Sequence, residues 1–224
     1  MDSSSSTAEH DRVYYSADLC SSGKEEPELE PKHGLIAELF LSKSKKWWKV
    51  SVLREALSAL NSPTSVRFND SIPQSRSLVY VTNENRIEFS GTSFLNPFAF
   101  RRELARGLVY AFDNARAKVD YTNVDHVSCT TIRAFNISGE CDLWSKWLDY
   151  FGDDPLGKDM YSMKQRCIKS KVEEQMVMES VHSADNIRQS IDRVWERCFR
   201  DHWPFTTEPH MDTRFRDSPM RRDA

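Results

Sequence analysis

The stretch that decides the fold runs from Arg106 to Asp113 and reads RGLVYAFD. Its apolar residues belong to a series that recurs at steps of three or four, the spacing of one face of an α-helix. The members of that series are Leu104, Leu108, Phe112, Ala115 and Val119. Gly107 costs such a helix about 1 kcal/mol relative to alanine, so we expect another backbone to approach it closely. The pattern predicts one long helix that begins at Asn96-Pro97 and ends near Lys118.

Two further stretches complete a recognisable pattern. Asn114 to Tyr121 reads NARAKVDY, and Arg133 to Cys141 reads RAFNISGEC. Together with residues 106–113 they closely resemble the active-site region of a mitochondrial inner-membrane metallopeptidase family, which processes and assembles a membrane subunit of ATP synthase. The family pattern is H-E-[LM]-[IV]-H-A-[FY]-D-x-C-R-A-x-V-D-W, followed by S-E-[IV]-R-A-x-N-[LI]-S-G-[DE]-C.

The resemblance extends over about residues 66–210 and includes a closing stretch from Ser190 to Phe205. It implies an α+β, mostly helical zincin-like domain, with a small β-hairpin before the former active-site helix. It also implies structural roles for three residues that keep the family's identity, namely Arg116, Arg133 and Gly139.

The catalytic positions of the family pattern are replaced in this chain. In a zinc peptidase two histidines one helical turn apart bind the metal, and the glutamate beside the first takes a proton from the metal-bound water. Here these positions hold Arg106, Tyr110 and Gly107. Guanidinium has only donors and stays protonated, phenol binds a metal only after losing its proton, and glycine offers no base. We therefore expect no catalytic residue and no zinc cofactor.

A second reading of the motif lies just upstream, where Arg102 to Arg106 reads RELAR. It keeps a glutamate, but its ligand positions are again arginines. The match at Ala111 to Asp113 favours the first reading, and neither reading gives a metallopeptidase.

The acids of this region need a cation if they are buried. Arg106, Asp113 and Asp120 fall near one helix face, so we hypothesise that Arg106 takes the place of the lost zinc by pairing with Asp113 or Asp120. The rival hypothesis is a metalloendopeptidase with replacement ligands, for which Asp113, Asp120 and His126 are the candidates.

The chain has five cysteines. Four of them fall where the resembled family has cysteines and are candidates for disulfides: Cys129, Cys141, Cys167 and Cys198. Four cysteines allow three pairings, and the sequence selects none of them. A zinc site made by His126, Cys129 and Cys141 is an alternative that lacks a fourth ligand. Free buried thiols are another, if the compartment is reducing.

Composition predicts one domain with polar extensions. The chain has 224 residues, 39% hydrophobic residues and a net charge of -3, which suits a single sizeable core. Residues 1–34 are Ser-rich and then acidic, typical of a disordered tail; we assign the domain to residues 35–205 and a second tail to residues 206–224. The charge gives no hint of nucleic-acid binding, and no apolar run reaches the ~20 residues of a transmembrane segment.

Local patterns predict the remaining elements. Ser77 to Val81 and Arg86 to Phe89 are short β-like runs separated by a turn-rich segment, which predicts a hairpin. Helices are expected at Leu35–Phe40, Trp47–Leu60, Val127–Phe135, Met160–His182 and Ala184–Arg200. Ser183 or Asp185 is expected to cap the last of these helices.

Lys43-Ser44-Lys45-Lys46 precedes Trp47-Trp48, and such a basic-aromatic patch suits peripheral contact with an anionic membrane. The plainer interpretation is a packed tryptophan pair beside solvated lysines. With the protease chemistry lost, the resemblance leaves the family's protease-independent assembly role. It implies a non-catalytic assembly factor or structural subunit on the intermembrane-space side of the mitochondrial inner membrane. Its protein partners there would be ATP synthase or another large complex.

Overall fold

The computed structural model describes residues 31–69, 71–72, 76–90, 97–142, 157–179 and 182–209. Six helices and three strands are found in these ranges, which confirms the expected α+β, mostly helical fold class. In chain order they are α1 (Pro31–Lys45), α2 (Trp48–Ala59), β1 (Ser65–Phe68), β2 (Leu78–Val81), β3 (Arg86–Phe89), α3 (Pro97–Ala117), α4 (Val124–Ser138), α5 (Gly157–Glu179) and α6 (Ala184–Phe199).

The predicted hairpin is confirmed, and a third strand joins it. β2 and β3 pair antiparallel, whereas β1 pairs parallel to β3, so the strand order is β1-β3-β2. Asn85 holds the hairpin turn with a φ of 45°, and its side-chain amide donates to the carbonyl of Ser62 at 3.1 Å. The sequence analysis missed β1 because its four residues pair only with a strand that comes later in the chain.

The apolar stripe of α3 lies at the centre of one core, as its spacing predicted. Leu104 and Leu108 are almost fully buried there with Leu53 of α2 and Ile87 of β3. A second core is formed by α4, α5 and α6, where Trp195 of α6 packs with residues of the other two helices. α3 also contacts α4, so it connects the two cores.

Capping residues set where the helices after α3 begin and end. Asn123 accepts a hydrogen bond from the backbone amide of Asp125 at 2.9 Å at the start of α4. Gly139 ends α4 with a φ of 76°, a left-handed conformation that favours glycine. Ser183 caps α6, as predicted, by accepting from the amide of Asn186 at 3.4 Å.

A buried ion pair joins α3 to α4. Arg133 Nε donates to Asp113 Oδ2 at 2.9 Å, and the two side chains are only 1% and 5% exposed. Asp113 also accepts from Thr130 Oγ1 at 2.9 Å. Arg133 extends the network to the segment after α6 by donating to the backbone carbonyls of Asp201 and Trp203. One arginine therefore fixes three separate segments.

The described residues include short stretches on either side of residues 35–205. α1 begins at Pro31, within the expected N-terminal tail. Glu208, within the expected C-terminal tail, pairs with Lys164 of α5. Residues 1–30 and 210–224 lie outside the described residues.

We predict that Arg133→Met lowers the free energy of unfolding by about 3–5 kcal/mol, because it leaves the carboxylate of Asp113 buried with a major partner missing. The matched control is Arg193→Met, which removes an exposed pair with Asp125, 50% and 37% exposed, and is expected to cost less than about 1 kcal/mol. Chemical denaturation of the oxidised protein measures both variants. Equal losses would contradict the assignment of Arg133 as the central structural contact.

Candidate functional site

A cleft opens beside the helix that carries the altered motif. Its volume is about 460 Å³, and it lies among the start of β2, one face of α3, the end of α4 and α5. Its charged and polar lining includes Glu103, Arg106, Glu140, Lys171 and Gln175, and its apolar lining includes Leu78, Phe135 and Met178. The first replaced histidine position therefore lies inside a concave surface.

Arg106 occupies the cleft with two glutamates as partners. Its guanidinium pairs with Glu103 at 2.5 Å and with Glu140 at 3.5 Å, and its side chain is only 12% exposed. The guanidinium carbon also lies 4.9 Å from the ring centre of Phe135, a cation–π distance. The guanidinium of Arg106 thus lies between two carboxylates.

The predicted pairing of Arg106 with Asp113 or Asp120 is therefore wrong. Asp113 pairs instead with Arg133 and Arg116. A separation of seven residues places Asp113 about 10 Å further along the helix axis, whereas Glu103 is one turn away at i−3, a spacing at which helical side chains meet. Glu103 is the glutamate of the upstream RELAR motif, so the sequence did contain a signal for this partner. Glu140 follows the end of a different helix, α4, and the spacing along α3 could not indicate it.

The pKa of Glu140 shows the electrostatic effect of Arg106. Burial raises the pKa of Glu140, Arg106 lowers it, and the nearby Glu103 raises it again. Two acids this close repel each other when both are ionised. Arg106 therefore supplies positive charge between the two acids, through Nη2 toward Glu103 and Nη1 toward Glu140.

Gly107 lies where α3 passes under the sheet. A Cβ atom added there would lie 2.7 Å from Leu78 Cδ1 and 3.1 Å from Ile87 Cγ2. Both contacts are closer than ordinary van der Waals distance. The close approach expected from the sequence is present, but side chains of β2 and β3 make it rather than another backbone. The room that a general base would need is filled with hydrocarbon.

Tyr110, at the second histidine position, is 1% exposed. Its hydroxyl accepts a hydrogen bond from Gln175 Nε2 at 3.1 Å. This bond links α3 to α5 and satisfies a buried polar group in the way that buried tyrosines require. Tyr110 thus has a packing role beneath the cleft.

The proposed replacement ligands do not converge. Asp113 is enclosed by Arg133 and Thr130. Asp120 is exposed, and its carboxylate accepts from the backbone and side chain of Thr122, which lowers its pKa. His126 Nδ1 accepts from the backbone amide of Asp120 at 3.2 Å. Among the described residues no group of three His, Cys, Asp or Glu side chains is arranged to hold a metal ion. The described residues at the replaced motif positions and at the three candidate replacements therefore do not fit a zinc site.

The four candidate cysteines form two disulfides. Cys129 of α4 pairs with Cys198 of α6, and Cys141 pairs with Cys167 of α5. The alternative zinc site from His126, Cys129 and Cys141 is thereby contradicted, because both sulfurs are already bonded. The free-thiol alternative is contradicted in the same way.

A second charged cluster lies just beyond the same end of α4, where sequence reasoning gave no signal. Lys49 of α2 is 1% exposed and lies 3.4 Å from Asp142, which Lys164 also approaches at 3.2 Å. Burial lowers the pKa of Lys49 to about 8 although Asp142 opposes this. A Cβ at Gly139 would lie 2.5 Å from Asp142 Oδ2, which accounts for glycine there. Gly139 is thus constrained by this contact and by its φ of 76°, and the structural role predicted for it stays a prediction.

Arg116 joins the network of Asp113 as well. Its Nε lies 3.3 Å from Asp113 Oδ1, and its Nη2 lies 2.5 Å from Asp201. Arg116 and Arg133 therefore both contact Asp113, and the structural roles predicted for them stay predictions.

Comparison with known proteins gives a consistent result. The profile of the Peptidase M76 family matches residues 42–206. The chain is 32% identical over 120 residues to the mitochondrial inner membrane protease ATP23 homolog of Homo sapiens, covering 53% of this chain and 46% of that protein. It is 34% identical over 110 residues to the homolog of Xenopus laevis, covering 49% and 44%, and 34% identical over 104 residues to the Emericella nidulans protein, covering 46% and 41%.

The chain thus spans less than half the length of these curated relatives. No solved structure matches it. In the described part of the chain, none of the helices combines the length and apolar character needed to cross a membrane.

We predict that substitutions at position 107 lower the free energy of unfolding, and that larger side chains lower it more. Gly107→Ala gains up to about 1 kcal/mol of helix propensity but overpacks the contact with Leu78, so we expect a net loss of about 1 kcal/mol. Gly107→Glu also buries a charge, and we expect a loss of at least about 3 kcal/mol.

A double-mutant cycle with Leu78→Ala checks the cause, because that change removes the nearest atom. Gly107→Ala should cost less in the Leu78→Ala background than in the native chain, as measured by chemical denaturation. An unchanged cost would mean that Leu78 does not fill the position.

Proposed function

The chain belongs to the Peptidase M76 family, and we propose that it is a proteolytically inactive member that acts as an assembly factor or structural subunit of a mitochondrial inner-membrane complex. The observation that carries the proposal is the pairing of Arg106 with Glu103 and Glu140 in the cleft. A guanidinium with both acids as partners occupies the place where the family pattern has its first metal ligand.

The chemistry of peptide hydrolysis needs an activated water and a group that accepts its proton. Arg106 offers no lone pair for a metal, Tyr110 lies buried with its hydroxyl bonded to Gln175, and Gly107 lies against Leu78. Each replaced residue is thus built into the packing around it. These contacts support the proposal that the site is kept for its shape and charge balance.

The cleft still suits the binding of an extended polypeptide. β2 is one of the two outer strands in the order β1-β3-β2, and an outer strand offers backbone groups to an added strand. Leu78 of β2 and Met178 of α5 line the same cleft, and Met178 is 60% exposed. A segment of a client protein held there would be bound without being cut, which is what an assembly factor requires.

The compartment is proposed from two observations. The relatives are named mitochondrial inner membrane proteases. The described residues form two disulfides, one that joins α4 to α6 and one that joins the segment after α4 to α5. Disulfides persist in oxidising compartments, which favours the intermembrane-space side. The family resemblance makes ATP synthase the first partner to test, and another large inner-membrane complex the second.

We predict that oxidised, folded protein binds far less than one zinc per chain and does not cleave an unfolded polypeptide substrate. Elemental analysis after equilibration with zinc, followed by removal of free metal, measures the first quantity. The control is a family member that retains the His-Glu-x-x-His motif. Stoichiometric zinc that is lost in Asp113→Asn or Asp120→Asn would overturn the proposal in favour of a metallopeptidase with replacement ligands.

We predict that Met178→Asp weakens the recovery of partner proteins from mitochondria about tenfold, because a charge in the apolar part of the cleft must be desolvated on binding. Val177→Asp is the matched control, since Val177 is 47% exposed on the same helix and does not line the cleft. Affinity capture with quantitative mass spectrometry compares the two variants. Equal recovery of an inner-membrane complex by both variants would exclude the cleft as the binding surface.

A further inference from the structure

The disulfide between Cys141 and Cys167 lies beside the cleft and joins two segments that line it. Cys141 follows Glu140, which lines the cleft just beyond the end of α4. Cys167 lies on α5 one helical turn before Lys171, which also lines the cleft. The bridge holds the Cα atoms of the two cysteines 6.0 Å apart. It therefore fixes the end of α4 against the wall of the cleft that α5 provides.

The other disulfide has no such position. Cys129 and Cys198 join α4 to α6, and neither these cysteines nor their neighbours in the chain line the cleft. The lining that the structure describes includes no residue of α6. Breaking this second bridge would loosen the core formed by α4, α5 and α6 without freeing the wall of the cleft directly.

Non-covalent contacts also hold α5 in place. Lys164 Nζ lies 3.2 Å from Asp142 Oδ1 near the bridge, and Gln175 donates to the hydroxyl of Tyr110 at 3.1 Å beneath the cleft. Such contacts open and re-form by thermal motion, whereas a disulfide opens only by a redox reaction. α5 is therefore held most firmly at Cys167.

Glu140 connects the bridge to Arg106. Its carboxylate lies 3.5 Å from Arg106 Nη1, and its backbone is bonded to Cys141. Burial raises the pKa of Glu140, whereas Arg106 and, more weakly, Lys171 of α5 lower it. Two separate thiols need more room than two bonded sulfur atoms. Breaking the bridge would therefore move Lys171 away from Glu140 and weaken the charge balance around Arg106.

We propose that the disulfide between Cys141 and Cys167 is a redox-sensitive clamp on the cleft, which holds α5 in place as a binding wall until a dithiol reductant cleaves the bridge. A thiolate of the reductant attacks the Sγ of Cys167, which is only partly buried, and Cys141 leaves as a thiolate. The second thiol of the reductant then attacks the mixed disulfide and frees Cys167. Two electrons pass from the dithiol to the bridge, the reductant becomes a disulfide, and its two protons end on the cysteine sulfurs.

The inference deepens the proposed function, on which it rests for the nature of the bound molecule. A client segment would be held in the cleft while the bridge is intact and released when the bridge is reduced. The position of α5 can be measured without any client, so the clamp and the client are tested separately.

Hydrogen exchange of the full chain, followed by mass spectrometry, tests the clamp. All variants carry Cys20→Ser, which removes the fifth cysteine as an exchange partner. The clamp variant is Cys141→Ser with Cys167→Ser, and the control variant is Cys129→Ser with Cys198→Ser. We expect exchange over residues 171–178 to accelerate at least about tenfold in the clamp variant and to stay within about twofold in the control variant.

The control variant also gives a reversible test, because it keeps only the bridge of the clamp. Dithiothreitol should accelerate its exchange over residues 171–178 roughly tenfold, and reoxidation should restore the slow rate. Circular dichroism establishes that each variant is folded, and this reversible test decides if the clamp variant does not fold. Unchanged exchange on reduction overturns the proposal, as does equal acceleration in the two serine variants.

Affinity capture from mitochondria tests the release of a client. The clamp variant should recover about tenfold less partner protein than the control variant, because its cleft is no longer preorganised. Equal recovery by these two variants, while Met178→Asp lowers recovery, overturns the redox inference and leaves the proposed function standing. Equal recovery by Met178→Asp and Val177→Asp excludes the cleft as the binding surface, and hydrogen exchange alone then decides whether the clamp exists.

Discussion

The buried pair of Arg133 and Asp113 is the constraint on which the rest of the structure depends. A carboxylate as deeply buried as Asp113 is tolerated only with a cation and further donors, and here Arg133, Arg116 and Thr130 provide them. Because Arg133 also binds the carbonyls of Asp201 and Trp203, satisfying one charge fixes α3, α4 and the segment after α6 together. The cleft between α3 and α5 inherits its shape from that arrangement.

The altered motif removes metal ligands, and it also puts the positive charge of an arginine where the family has a zinc ligand. A zinc ion and a guanidinium both supply positive charge to acids, but the ion leaves a coordination position for water whereas the guanidinium presents only donors. In this chain those donors face Glu103 and Glu140. At Gly107, the position of the family's glutamate, side-chain hydrocarbon fills the space. Tyr110, at the second histidine position, accepts a hydrogen bond from Gln175. A fold can keep its architecture in this way while its proposed role moves from cleavage to binding.

Sequence reasoning succeeded where the deciding contacts are local. The stripe of α3, the hairpin turn and the cap by Ser183 each depend on residues a few positions apart, and all were found. It failed for the partner of Arg106, since residues on one helix face were taken to be in contact although Asp113 is two turns away. It could not find β1, which pairs only with a strand later in the chain. It also gave no sign of the buried Lys49 and Asp142, which different elements contribute.

The sequence by itself determined what the side chains of Arg106, Gly107 and Tyr110 can ligate or protonate, because the identity of a side chain sets this in any fold. It also determined the helix that carries them, through the period of its apolar residues. Only the tertiary structure decided that Glu103 and Glu140 enclose the arginine, that Leu78 fills the space at Gly107, and which cysteines pair. Apart from the pair within α3, these outcomes join residues far apart in the chain, and packing of the helices and the sheet sets their distances.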